Sequence, residues 1–245
     1  MTKRADTPVR ETAFGAVIRG SRERKELALV FTGGHFGEGA AEILDTLKRE
    51  SLPGSFFFTG DFLKREDHRE IIRRAIAEGH YVGPHSHAHL LYCPWEDRSQ
   101  TLVTREEFSE DLAQNVEELK ALGVPTDEMR WWIPPYEYYN ETIAKWAKEE
   151  GRPLINNTPG TLSHADYTEE AAANFRSSET IFRSILDFEE REKDGLNGFL
   201  LLLHVGAGDG RTDKFHPRIP ALIEELKKRG YEFKRVDELL GQPPK

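Results

Sequence analysis

A single cysteine, Cys93, among 245 residues excludes an intrachain disulfide and a thiolate metal cage. It reads as a small, half-buried apolar residue. Nowhere do 18 apolar residues run uninterrupted, so no segment is long enough to cross a membrane, and the opening MTKRADTPVRETAFGAVIRG lacks the apolar core of a secretory signal. Basic charge is also scarce. With 34 Lys and Arg against 43 Asp and Glu, the formal charge is -9. Scattered in this way, the cations argue against nucleic acid or an anionic membrane surface as the main partner and leave small or neutral ligands. Internal repeats, low-complexity tracts, G-x-G-x-x-G and the P-loop are absent too, which counts against an open dinucleotide-binding sheet.

What is present is an alternation. Short apolar runs at 27–32 (LALVFT), 54–59 (GSFFFT), 80–84 (HYVGP), 129–134 (MRWWIP), 153–157 (PLINN), 198–204 (GFLLLLH) and 231–236 (YEFKRV) read as strands. Between them, apolar residues recur at three- and four-residue spacing and predict helices over 39–50, 65–79, 106–123, 140–151, 178–195 and 217–230. Thr104 and Glu107 form a capping-box pattern at the start of the third. About seven strands alternating with helices predict an α/β fold of one domain, a closed or nearly closed (β/α) barrel over 13–240, with tails at 1–12 and 241–245.

Six of the nine histidines, His35, His85, His87, His89, His164 and His204, follow predicted strands, where such a barrel builds its active site. In HSHAH, the H-x-x-x-H spacing places His85 and His89 on one side of a helical turn, able to share a divalent cation. His87 then faces substrate or supports the ligands. A third donor is required, and LVFTGGHFGEG offers His35, or Glu38 behind it, on a backbone loosened by Gly33 and Gly34. His204, closing an apolar strand, is placed for proton transfer, with Asp166 of SHADY as its partner. In WWIPPYEYYN two prolines force a corner beside aromatics. Tyr136, Tyr138, Tyr139, Trp131 and Trp132 are candidates for stacking on sugar rings, and Glu137 is an added acid or base.

Taken in order, LALVFTGG, HSHAH, IPPYEYYN and LLLLH resemble the successive motifs of the polysaccharide deacetylase family, the NodB-homology or carbohydrate esterase family 4 domain, from about Gly15 to Leu240. The resemblance implies a distorted, TIM-like (β/α)7 barrel, a divalent metal, commonly zinc, and removal of acetyl groups from a carbohydrate. Two departures stand out. Where the family shows T-F-D-D-G, this chain has Val30-Phe31-Thr32-Gly33-Gly34, so the general base and a metal ligand are missing. The arginine of the family's R-P-P-Y, which pairs with that base, is Ile133. Joint loss is coherent, because a buried arginine without its carboxylate is costly.

The resulting expectation is a metal-dependent deacetylase acting on ester or amide. His85, His89 and His35 hold zinc, or Co2+, Ni2+, Mn2+ or Cu2+. Metal-bound water attacks the acetyl carbonyl, and a backbone N–H near Tyr136 receives the oxyanion. His204, oriented by Asp166, protonates the leaving group, with Glu137, His87 or Glu38 as base. Tyr136, Trp132, Tyr138 and His87 contact the acetylated oligo- or polysaccharide. The resemblance further implies a secreted or periplasmic setting and a glycoside hydrolase domain as a native neighbour. The rivals are a non-catalytic carbohydrate-binding module on the same scaffold, and a metal enzyme with altered chemistry on a glycan.

Overall fold

The computed structural model describes residues 10–241. The remainder of both predicted tails lies outside those residues. Seven strands form one sheet: β1 (Glu11–Ala13), β2 (Ala16–Arg19), β3 (Glu26–Gly33), β4 (Ser55–Phe58), β5 (Tyr81–Pro84), β6 (Phe199–His204) and β7 (Glu232–Phe233). Their order is β1-β2-β6-β3-β4-β5, with β7 pairing the start of β3. β3 lies parallel to β4, β6 and β7, β4 lies parallel to β5, and β2 runs antiparallel to both of its neighbours, β1 and β6.

The sheet curls until its far edges meet. Ile133 N donates to Pro84 O beyond β5, Trp132 bridges Leu154, Ile155 bridges Val17 of β2, and Thr158 N reaches Leu200 O of β6. A distorted barrel results. The predicted strands at 129–134 and 153–157 thus contribute single bridges rather than ladders, because Pro134, Pro135 and Pro153 remove the donors a ladder needs.

Both faces of the sheet are covered, which is why its strands read as unbroken apolar runs. Ala28, Val30, Phe57, Leu200 and Leu202 point inward with Trp131 and Ile133. Leu29, Phe31, Phe56, Phe58, Leu201 and Leu203 point outward into a larger cluster under the helices. Strand alternation therefore sends Thr32 to the barrel axis and position 33 to the outer layer.

The helices are α1 (Ala40–Glu50), α2 (Gly60–Lys64), α3 (Glu66–Ala77), α4 (Arg105–Ala121), α5 (Glu141–Glu149), α6 (Ser178–Arg191), α7 (Ile219–Lys228) and α8 (Val236–Leu240). The capping box of Thr104 and Glu107 is formed in full at the start of α4. Two short helices escape the periodicity, α2 and α8, the latter beginning within the predicted last strand. β1 and β2 fall in the predicted tail and the lead-in. They meet at a two-residue turn, Phe14 (φ 47) and Gly15 (φ 84), whose positive φ pair suits a tight hairpin.

Candidate active site

At the end of β3, β5 and β6 opens a cavity of about 510 Å³. Thr32, His35, His85, His89, Glu137 and His204 line it, with Tyr136 and Tyr167 on its wall. Residues far apart in sequence therefore meet at the mouth of the barrel, as such folds arrange.

His204 is the best-held group. Its ring Nδ1–H donates to Asp166 Oδ1 at 2.7 Å, and its backbone N–H donates to Asp166 Oδ2 at 2.8 Å. Both carboxylate oxygens are thus spent on one residue, which leaves Nε2 for the cavity. Burial pulls the imidazole pKa down, but the charge and hydrogen bond of Asp166, with the charge of Glu137, raise it above its ordinary value. Asp166 is itself buried, on the turn Ser163–Tyr167. The ring of Tyr167 lies 4.7 Å from that of His204.

His85 and His89 also meet, with ring centroids 5.2 Å apart, but not through a helical turn. Ser86 (φ 74) and His89 (φ 53) both take left-handed conformations, and the loop hangs from α4. Asn115 Oδ1 accepts from His85 N at 2.8 Å, and Asp111 accepts from His87 N and Ala88 N at 3.1 and 2.7 Å. The His85 Nδ1–H donates to Ile133 O at 2.9 Å, so its Nε2 is an acceptor. Burial, then the neighbouring His89, pushes the His85 pKa down to about 3. Burial, then His204, pushes His89 down to about 4. Both rings are neutral at pH 7.

Glu137 occupies the proline-rich loop. Tyr136 (φ 59) and Glu137 (φ 52) both sit in left-handed conformations, and Asn156 Nδ2 holds the Glu137 carbonyl at 2.9 Å. Burial raises the Glu137 pKa, opposed by His204 and reinforced by Asp166. The Tyr136 ring lies 4.4 Å from that of His89, tilted by 52°, and Tyr136 is 45% exposed at the rim.

Several expectations are corrected. Trp132 is fully buried among Tyr92 and Phe108 in the outer layer, and Trp131 faces the barrel interior, so neither reaches a ligand. His87 turns away from the cavity and bonds Glu118 Oε2 at 2.9 Å through Nδ1. Tyr138 stands outside the cavity wall, packed on Trp95. Glu38 accepts from the amides of Ala207 and Gly208 at 2.8 and 2.9 Å and from Lys214, which together outweigh its burial and lower its pKa. It fastens the loop after β6.

The metal set is incomplete. His35 is exposed at the rim, edge-on to Phe36. Among the described residues no group of three His, Cys, Asp or Glu side chains converges as a metal site. A side chain at position 33 fares no better: a Cβ on Gly33 would lie 2.7 Å from Phe58 and 3.0 Å from Phe62. Stacked aromatic rings fill that space. The donors present do not fit the three-ligand ion that the family resemblance implies.

Sequence reasoning passed over Thr32 and Asn156. The Thr32 hydroxyl is buried on the cavity wall without a hydrogen-bond partner among the described residues, and it stands in register with His204. Its signal was its position, that of the missing aspartate.

The chain matches the polysaccharide deacetylase family over residues 19–155. It is 25% identical over 227 residues to the peptidoglycan-N-acetylmuramic acid deacetylase PdaA of Bacillus subtilis, covering 93% of this chain and 76% of that one. A CE4 family pseudoenzyme from Bacillus anthracis has a similar structure, with a TM-score of 0.72 at 17% identity over 94% of this chain and 70% of that one. So does the CE4 domain of a multidomain xylanase from the hindgut metagenome of Trinervitermes trinervoides, with a TM-score of 0.66 at 23% identity over 89% and 90%. At these identities the structural likenesses carry the fold alone. With more than half of its length inside the family match, the chain belongs to the polysaccharide deacetylase family.

Proposed function

We propose that the chain removes acetyl groups from a glycan by acid–base chemistry in this cavity, with Glu137 as base and the His204–Asp166 pair as acid. The observation that carries the reading is His204, fixed by both oxygens of Asp166 and facing a cavity that the half-buried Glu137 also lines.

Glu137 takes the proton of a water that attacks the acetyl carbonyl. The negative charge passes to the carbonyl oxygen, for which the backbone N–H of Tyr136 is the candidate donor, since Pro135 has none and that of Glu137 donates to Pro134 O. As the tetrahedral centre collapses, protonated His204 gives its proton to the departing sugar oxygen or nitrogen, and acetate leaves. A raised pKa in both groups suits this division of labour: Glu137 is a stronger base than a free carboxylate, and His204 holds its proton to higher pH than a free imidazole. His85 Nε2 and the Thr32 hydroxyl are free to bond the substrate. A divalent ion would meet His85 and His89 here, and no step is assigned to it.

PdaA, by its name, acts on peptidoglycan, and the xylanase-borne domain sits beside a glycoside hydrolase. By analogy we place the substrate among acetylated structural polysaccharides outside the cytoplasm, with a glycoside hydrolase domain as a native neighbour. Among the described residues no helix is long and apolar enough to cross a membrane.

A second reading, glycan binding without turnover, draws on the filled space at position 33 and the absent third donor. Acetate release from acetylated xylo- and chito-oligosaccharides separates the two. Wild type should release acetate and His204→Ala should lose roughly 10²-fold or more of the rate. Equal rates in both would remove His204, and no release from any substrate would leave binding alone.

A further inference from the structure

The loop that follows β6 holds a buried cation that the chemistry above does not use. Arg211 is 0% exposed. Its donors go to main-chain carbonyls and one hydroxyl, not to a carboxylate. Nε donates to Asp213 O at 2.8 Å, Nη1 to Thr168 O at 3.0 Å and Ala165 O at 3.5 Å, and Nη2 to Arg176 O at 2.9 Å and Ser178 Oγ at 3.3 Å. The ring of Phe175 lies 4.9 Å from the guanidinium carbon.

A buried cation without a bonded carboxylate is costly. The cost falls beside the site's own carboxylate. Ala165 and Thr168, both accepting from Nη1, stand one residue before Asp166 and two after it. Burial pulls the Arg211 pKa down, and the charges of Asp166, Asp213 and Glu170 oppose it, that of Asp166 most strongly. A planar fork serves carbonyls on several sides at once, which the point charge of a lysine cannot.

The backbone held in this way also carries Tyr167, Thr168 and Asn174 into the cavity wall, whereas Arg211 itself does not line the cavity. Further bonds stitch the two segments together. Thr168 Oγ1 donates to Ala165 O at 2.9 Å, and Glu170 Oε1 accepts from Thr212 N and Asp213 N at 3.1 and 2.9 Å. Taking His204 as the acid of the reaction proposed above, we infer that Arg211 is a positioning residue, whose fork brackets the backbone around Asp166 and keeps both carboxylate oxygens on His204. It aims the proton donor without touching substrate.

The titration of the His204 imidazole, followed by NMR, tests this without requiring turnover. The groups that face the ring are Asp166, His164 and Tyr167 from one turn, Glu137 from the proline-rich loop, and His85 and His89 from the loop after β5. Of these, Asp166 is the one that bonds the ring. In wild type the midpoint should stand above the free imidazole value of about 6.5. Arg211→Lys keeps the charge and loses the fork, so Asp166 should slip from the ring and the midpoint should fall toward the free value, with acetate release reduced roughly tenfold or more. In an Asp166→Asn background the same substitution should move the midpoint no further. An unmoved midpoint, an equal fall in both backgrounds, or an undiminished rate beside an active wild type would each overturn the inference, even if Arg211→Lys melts at a lower temperature. Should that variant not fold, wild type carries the test: the Arg211 Nε–H signal should exchange slowly with solvent and shift through the same midpoint as His204. A signal that exchanges freely or ignores that midpoint would overturn the inference. A midpoint that falls in Arg211→Lys without acetate release from wild type would remove the hydrolytic reading and leave Arg211 as the group that places Asp166. Acetate release with an unmoved midpoint would do the reverse.

Discussion

Glu137 holds a left-handed backbone at φ 52 that a non-glycine residue adopts at a cost of order 1 kcal/mol, and its carboxyl is partly desolvated as well. Both costs are borne on the proline-rich loop, at a residue that lines the cavity with His204. Its folded pKa is raised by burial, so the folded state favours the protonated form. Stability from this group is present at low pH and is lost as pH rises through that raised value. Glu137→Gln keeps shape and removes the charge. Thermal unfolding of this variant should therefore occur roughly 2–4 °C higher than wild type at pH 7, the difference vanishing below about pH 4, where free carboxyls are protonated too. An equal melting point at pH 7 would show that the carboxyl is not strained by ionisation. The same variant should lose catalysis. His204 and its partner Asp166 were legible as residue types in sequence. That both Asp166 oxygens are spent on His204 was not, because the Ser163–Tyr167 turn carries no periodic signal.

At the scale of elements, the end of β3 explains why the family's metal ligand has no successor. Strand alternation turns position 33 away from the axis, and Phe58 from β4 with Phe62 from α2 closes over it. Gly33→Asp alone should gain no zinc affinity by calorimetry, because the new carboxylate has no room. Tighter zinc binding by the single variant would show that the rings yield easily. The strands β3, β4, β5 and β6 were readable because both faces are buried and their apolar runs are unbroken. HSHAH was read correctly as a pair of neighbouring imidazoles and wrongly as a helical turn. The deciding contacts come from Asn115 and Asp111, about 25 to 30 residues away, and no local pattern announces them. His35 failed as a ligand for a related reason: the two glycines that free the backbone do not aim it, and the side chain stays at the rim.

For the molecule as a whole, the barrel closes through isolated bridges at Trp132, Leu154 and Ile155, which bring the proline-rich loop against β5 and place Glu137 beside His204. Family membership was legible in the order of four motifs spread along the chain. The aromatics beside them divided by layer: Trp131 and Trp132 went into the core, and Tyr136 and Tyr138 toward the surface. In the proposed reaction a carboxylate, Glu137, and an imidazolium, His204, share the work. The pH dependence of kcat/KM for acetate release from an acetylated oligosaccharide tests it most directly. A bell is expected, with its acid limb above the ordinary carboxyl pKa of about 4.3 and its alkaline limb above the ordinary imidazole pKa of about 6.5, both limbs set by groups whose pKa values are raised. A rate that climbs steadily with pH and never falls would contradict it, since His204 would then not be needed in its protonated form.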